Sequence, residues 1–202
     1  PCPPLPQEVL ARWPAADLDD PGLLEGLPVD QEVGPVPRRG GRRAGLAALE
    51  RFLRQGLERY ARGRNHPDED ATSQLSPYLH FGQVGAQEVL AALLHQEGWT
   101  LERLGTRATG SREGWWGLSA GAEAFVDQLV TWRELARAFA WHRPGDHASW
   151  EGVPDWAQRT LMDHADDRRE HLYTLDQLEA ARTHDPLWNA AQRQLRAEGR
   201  IH

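Results

Sequence analysis

The chain of 202 residues is long enough to bury a sizeable core, and its 40% hydrophobic and 26% charged residues are ordinary for a globular protein. The formal net charge of −7 argues against a nonspecific coat on nucleic acid, and the single cysteine, Cys2, excludes an internal disulfide and a zinc site built from cysteines. No apolar run approaches the ~18–20 residues of a membrane helix and no signal segment opens the chain, so we expect a cytoplasmic protein.

The positive charge is unevenly distributed. All 23 basic residues are arginines, and nine of them lie between Arg38 and Arg64, where only Glu50 and Glu58 oppose them, so this segment carries a net +7. Such a segment is either a solvated arginine-rich helix or a face that binds anions, since the planar guanidinium suits phosphate groups. The nine tryptophans suit core packing, base stacking or electron relay, and composition does not choose among these uses.

The chain opens with a segment typical of a linker and continues with helices. Nine of the 14 prolines lie in residues 1–37, so we expect residues 1–42 to form a linker. A loop over residues 64–74 should separate a first helix from a second at residues 84–95. The first helix begins at Arg43 and spans about five turns, because apolar residues recur every three or four positions at Leu46, Leu49, Leu53, Leu57 and Tyr60.

A glycine-rich stretch follows, and we predict a long loop over residues 98–121. A third helix should span residues 122–141 and end before Pro144 and Gly145. A short fourth helix should begin near Asp155.

Capping signals mark two more helices near the end of the chain. Thr174 with Gln177 has the spacing of a capping box. Asp185 before Pro186 opens a last helix, and Gly199 stands just past its end. Because no run of alternating β-branched residues occurs, the predicted fold class is all-α.

The stretch ATSQLSPYLHFGQV at residues 71–84 crowds hydroxyls and rings ahead of the second helix. Ser76 before Pro77 is typical of an N-cap followed by the first helical residue. Thr72 and Ser73 should stand beside that helix start, so hydroxyl and backbone donors could converge on an anion. The alternative is a well-capped turn whose hydroxyl groups form hydrogen bonds with nearby backbone groups only.

The third helix carries an unusual combination of side chains on one face. A glutamine amide beside an indole could hold a planar heterocycle by hydrogen bonding and stacking, with Arg133 on the neighbouring face. The alternative is a partly buried helix whose Arg133 pairs with an acid. The residues that share the face at steps of three and four are Phe125, Gln128, Trp132, Leu135 and Phe139.

Other kinds of site have no support in the sequence. His142 and His147 lie five residues apart without a third ligand at a convincing spacing, so we expect no metal. The glycines of residues 105–121 form neither a dinucleotide fingerprint nor a P-loop, and no nucleophile elbow occurs.

Three segments together resemble a known family. They are YARGRNHPDEDATSQLSPYLHFGQV at 60–84, VDQLVTWREL at 126–135 and THDPLWNAAQRQLRAEGRIH at 183–202. They resemble the C-terminal, all-helical FAD-binding domain of DNA photolyases over residues 43–202. The first and third segments look closest to class II cyclobutane-pyrimidine-dimer photolyases, whereas the Trp-Arg-Glu that begins at Trp132 is more similar to class I.

The resemblance implies a binding site for FAD. Tyr60 would hydrogen-bond the pyrophosphate of FAD from the end of the first helix, and Arg133 is similar to the family arginine that anchors the flavin side. The same pyrophosphate would be held by the loop residues Thr72, Ser73, Gln74, Leu75 and Ser76.

The resemblance also implies contacts with damaged DNA and a route for electrons. Arg64 looks like the arginine that contacts DNA near the lesion, and Trp132 would line the pocket for the flipped pyrimidine dimer. Gln128 lies near the position of a family glutamate that hydrogen-bonds the dimer. Trp188 looks like a catalytic member of the tryptophan relay of class II enzymes.

By this resemblance the protein splits pyrimidine dimers in DNA with one electron from light-excited, fully reduced FAD. A cryptochrome-like signalling or binding flavoprotein on the same scaffold is the alternative, and an inert fragment is the third possibility. The N-terminal antenna domain of photolyases and the helices that follow the position of His202 in that family lie outside this sequence. We therefore expect weak FAD binding, exposed apolar surface around Trp132 and Trp188, and a tendency to self-associate.

Overall fold

The computed structural model describes residues 4–17, 20, 22–107, 110–111 and 114–201, and within these residues it contains helices and no strand. The predicted all-α class is therefore confirmed. Cys2 and His202 lie outside the described residues. The α-helices are α1 Gln7–Arg12, α2 Arg42–Arg51, α3 Leu57–Gly63, α4 Ser76–His80, α5 Ala86–Gln96, α6 Ala120–Val126, α7 Arg133–His142, α8 Asp155–Asp163, α9 Leu175–Glu179 and α10 Pro186–Glu198.

The chain divides into two compact units. One comprises Pro1–Pro37 with His171–His202, and the other comprises Arg38–Glu170. Helix α1 lies inside the segment predicted to be a linker. The predicted boundary between residues 42 and 43 stays a prediction. Among the described helices, none is both long and apolar enough to cross a lipid bilayer.

The predicted first helix is present as α2 and α3, joined by a π-helical turn at Phe52–Gly56. Phe52 and Leu53 are buried in this turn, so the apolar face continues through it. Gly56 leaves room for the ring of Phe52, because a Cβ at this position would lie 2.8 Å from the phenylalanine Cδ2. A π turn within a helix is uncommon and often marks a functional region.

Helices α3 and α6 pack very closely in the larger unit. A Cβ at Gly121 would overlap the carbonyl oxygen of Leu57, so the two backbones can touch only because residue 121 has no side chain. Beside this crossing the rings of Phe52, Tyr60 and Phe125 pack with centroids 4.7–5.5 Å apart. These buried rings form the centre of the core together with aliphatic side chains of α5 and α6.

The predicted third helix is also interrupted by a π turn, at Asp127–Trp132 between α6 and α7. The crossing with α3 buries most of α6, whereas no side chain of α7 is buried. The apolar face predicted from the sequence is therefore divided between two environments. Phe125 is in the core, and the four exposed members are Gln128, Trp132, Leu135 and Phe139.

A buried carboxylate organises the loop that precedes α6. Glu123 accepts hydrogen bonds from the backbone N–H groups of Gly114, Trp116 and Gly117 at 2.6, 3.0 and 3.2 Å. The indole of Trp99 also donates to the carbonyl oxygen of Trp116 at 2.6 Å. The loop was expected from its glycines, but its anchor at Glu123 was missed.

The capping signals near the end of the chain are confirmed. Thr174 and Gln177 form the complete capping box of α9. The carboxylate of Asp185 accepts from the N–H groups of Leu187 at 2.8 Å and Trp188 at 3.1 Å, which caps α10. Gly199 ends α10 in the left-handed conformation, with φ of 67°.

The close crossing of α3 and α6 generates a stability prediction. Alanine at Gly121 should lower the free energy of unfolding by about 1–3 kcal/mol, because the new methyl group must push the helices apart. In a helix without such an obstruction, replacing glycine by alanine instead raises the free energy of unfolding by about 1 kcal/mol. The measurement is urea denaturation followed by circular dichroism.

Gly145→Ala is the matched control, because a Cβ there would meet no atom within 4 Å. Equal stability of Gly121→Ala and Gly145→Ala would show that the helices do not depend on this contact.

Candidate functional site

The loop between α3 and α4 is held in one conformation by Gln74. This residue adopts a left-handed backbone, with φ of 58°, and its amide nitrogen donates to Asp70 Oδ1 at 2.8 Å and to Thr72 Oγ1 at 2.9 Å. Arg38 donates to the carbonyl oxygen of Gln74 at 3.0 Å and to its Oε1 at 2.5 Å. Leu75 is completely buried and anchors the loop in the core. Since Thr72 Oγ1 accepts from Gln74, its own hydroxyl hydrogen remains available for donation.

The two serines of this loop differ in their roles. Ser73 Oγ accepts from the N–H of Leu75 at 3.3 Å, so this hydroxyl is used locally. The prediction that Ser76 is an N-cap is wrong, because α4 begins at Ser76 itself and the aliphatic Leu75 occupies the cap without a side-chain hydrogen bond. Ser76 is exposed.

A cavity of about 160 Å³ lies between this loop and the π turn that joins α2 and α3. On the helix side, Arg51, Gln55 and Arg59 follow one another at intervals of four residues. The cavity thus brings hydroxyl groups of the loop together with two guanidinium groups. Its lining comprises Arg51, Phe52, Gln55, Gly56, Arg59, Asp70, Thr72, Ser73 and Gln74.

The charge of the cavity favours an anion. Neither Arg51 nor Arg59 forms an ion pair with a residue that the structure describes, whereas Arg54 of the same helix pairs with Glu50 at 2.7 Å. The one carboxylate in the lining, Asp70, accepts from Gln74. Two guanidinium groups against one carboxylate leave a positive surface that is suited to phosphate oxygens.

Tyr60 lies in the core cluster with Phe52 and Phe125 rather than in the lining of the cavity. Burial raises the pKa of its phenol, and the nearby charge of Asp127 raises it further, while Arg64 opposes both effects. The phenol is therefore neutral at physiological pH and remains a hydrogen-bond donor.

Arg64 is partly buried at the end of α3. Its guanidinium lies 5.7 Å from the ring centroid of Tyr60, and its Nη1 donates to the carbonyl oxygen of Ala124 at 3.2 Å. These contacts hold the side chain between α3 and α6, so the guanidinium occupies a defined position.

The second π turn carries the other predicted site residues. The indole N–H of Trp132 donates to Asp127 Oδ2 at 3.0 Å, and the tryptophan is 51% exposed. Gln128 is exposed, and Arg133 forms an ion pair with Glu134 at 2.8 Å. Sequence reasoning missed the role of Asp127, because an α-helix does not bring residues five apart into contact.

Trp188 lies on α10 in the smaller unit and is 46% exposed. The structure thus brings Thr72, Ser73 and Gln74 together at the cavity and places Tyr60 with Arg64 in a neighbouring cluster. Within the described residues, no group of three histidine, cysteine, aspartate or glutamate side chains could hold a metal ion.

Comparison with known proteins identifies relatives along almost the whole chain. A deoxyribodipyrimidine photo-lyase of Potorous tridactylus is 40% identical over 190 residues, which are 93% of this chain and 32% of that protein. Enzymes with the same name from Methanothermobacter thermautotrophicus and Arabidopsis thaliana are each 37% identical over 198 residues, covering 39% and 35% of their lengths.

The chain spans about a third of the length of these relatives. No family model matches it. The relatives share one name and match the chain over 93–98% of its length, so the chain belongs to the deoxyribodipyrimidine photo-lyase family.

Proposed function

We propose that this chain is the FAD-binding part of a light-driven enzyme that repairs pyrimidine dimers in DNA. The observation that carries the proposal is the cavity in which Thr72, Ser73 and Gln74 meet two guanidinium groups. The resemblance to photolyases assigns this loop to the pyrophosphate of FAD. The family relationship supports the repair activity, because the relatives are named for action on deoxyribodipyrimidines.

The residues present fit a pyrophosphate. Thr72 has a hydroxyl hydrogen to donate, and the rigid conformation of Gln74 keeps that hydroxyl at the cavity. A phosphate diester offers only acceptors, so it matches a lining rich in donors. When bound, light-excited reduced FAD supplies the electron that splits the dimer. The chain holds the cofactor and orients it.

The π turn at Asp127–Trp132 is proposed as part of the DNA-binding side. The half-exposed indole of Trp132 offers a face for stacking on a flipped base, and its hydrogen bond to Asp127 fixes the ring. Gln128 is exposed beside it and could hydrogen-bond a pyrimidine edge. Arg64 would contact a phosphate, and Trp188 would belong to the electron relay.

The names of the relatives favour DNA repair over a signalling role. The three described above are named photo-lyase, and the chain matches each of them over most of its length. The decisive measurement is light-dependent loss of pyrimidine dimers from an oligonucleotide incubated with the reduced flavoprotein. Flavin binding without such loss would support the cryptochrome-like alternative.

The proposed phosphate loop can be tested by removing a hydroxyl group. Thr72→Ala should raise the dissociation constant of FAD about tenfold or more, since a hydrogen bond to a charged acceptor contributes about 1.5–3 kcal/mol. The ratio of dissociation constants is measured by equilibrium dialysis, even where binding is weak. Thr160→Ala is the control, because its hydroxyl donates to the carbonyl oxygen of Trp156 on exposed α8. Equal FAD affinity in both variants would refute the assignment.

The proposed DNA contact of Arg64 can be tested through salt dependence. Arg64→Ala should weaken binding to dimer-containing DNA and reduce the slope of log K against log salt by about one unit. The measurement is fluorescence anisotropy at several salt concentrations. Arg54→Ala is the control, because Arg54 is highly exposed and paired with Glu50. A slope for Arg64→Ala that equals that of the unmodified chain would reject the role.

A further inference from the structure

The arginine-rich segment faces two environments. Arg51 and Arg59 line the cavity, on the same helix face as Gln55. Arg54 lies on the same helix outside the lining and is neutralised by Glu50. All three side chains are exposed, but Arg51 and Arg59 line the concave site, whereas Arg54 is paired with Glu50.

The size and shape of the cavity favour a small anion over a nucleic-acid backbone as its ligand. A cavity of about 160 Å³ is smaller than the about 300–1,000 Å³ of pockets that enclose a whole organic ligand, so it can take only a part of one. A duplex backbone carries an extended row of phosphates and needs arginines spread over a broad surface, whereas Arg51 and Arg59, although exposed, both line one small concave site. Two arginines that line the same small cavity can both bind one diphosphate, because each guanidinium group offers several N–H donors to phosphate oxygens.

The opposite wall provides the remaining donors. Thr72 has a hydroxyl hydrogen to donate, and Ser73 stands next to it in the lining. Asp70 lies in the same lining, and its Oδ1 already accepts a hydrogen bond from Gln74. One carboxylate against two guanidinium groups leaves the cavity with a net positive charge. Donors thus approach from both walls.

We propose that Arg51 and Arg59 bind the diphosphate of the adenine-containing cofactor from the helix side of the cavity, opposite Thr72 and Ser73. The inference rests on the proposed function, because it assigns the diphosphate to this cavity. It also assigns these two arginines to the cofactor rather than to DNA. The arginine-rich segment then has two roles: Arg64 contacts DNA, and Arg51 and Arg59 bind the cofactor.

The test uses ADP and riboflavin as separate probes of the full chain. Arg51→Gln and Arg59→Gln should each raise the dissociation constant of ADP about tenfold or more, because each loses charged hydrogen bonds to phosphate. Riboflavin, which has no phosphate, should bind the variants and the unmodified chain equally. Arg54→Gln removes the same unit of charge from the same helix outside the cavity, and its ADP affinity should stay within about twofold. Binding is measured by isothermal titration calorimetry.

Three outcomes would overturn the inference. One is an ADP affinity of Arg51→Gln and Arg59→Gln equal to that of Arg54→Gln. The second is a loss of DNA affinity and salt slope in the two variants as large as that of Arg64→Ala. The third is no binding of ADP to the unmodified chain at millimolar concentration.

Thr72→Ala in the same titrations separates this inference from the proposed function. If Thr72→Ala weakens ADP binding and the two arginine variants do not, the phosphate loop stands and only the arginine assignment fails. If none of the three substitutions changes ADP binding, the cavity does not hold a diphosphate and the proposed cofactor site fails with it.

Discussion

The contact between the backbones of α3 and α6 is the constraint on which the larger unit depends. Gly121 lies against the carbonyl oxygen of Leu57, and this distance leaves no room for any side chain. The same crossing brings Phe125 against Phe52 and Tyr60 and closes the aromatic core. Because α3 leads into the loop that lines the cavity and α6 leads into the second π turn, a small change at the crossing would displace both parts of the candidate site.

Each of the two long helices changes its winding where it meets the site. The π turn at Phe52–Gly56 forms one wall of the cavity, and the π turn at Asp127–Trp132 brings Asp127 to the indole N–H of Trp132. A π turn places residues five apart on the same face, which a regular α-helix does not do. Within the described residues, both π turns thus lie in segments that form part of the candidate site.

The arginines of the larger unit differ in the groups that they contact. Arg42 is paired with Glu88 at the surface, and this contact lowers the pKa of the glutamate through hydrogen bonding and charge. Arg38 instead holds Gln74 and thereby the loop between α3 and α4. Arg51 and Arg59 face the cavity without an ion-pair partner among the described residues. The composition shows only that all of them are arginines, and their surroundings separate structural from binding roles.

The sequence by itself determined the fold class and most of the helices, and it predicted the segments that carry the candidate site. Local signals suffice for these features: the apolar spacing of Leu49, Leu53 and Leu57 predicts a helix, and Thr174 with Gln177 caps another. Only the tertiary structure decided that α4 starts at Ser76, that Asp127 holds Trp132 and that the cavity brings Arg51 of α2 and Arg59 of α3 next to the loop. These features depend on contacts between residues distant in sequence or on a locally altered helix, and neither leaves a periodic pattern in the chain.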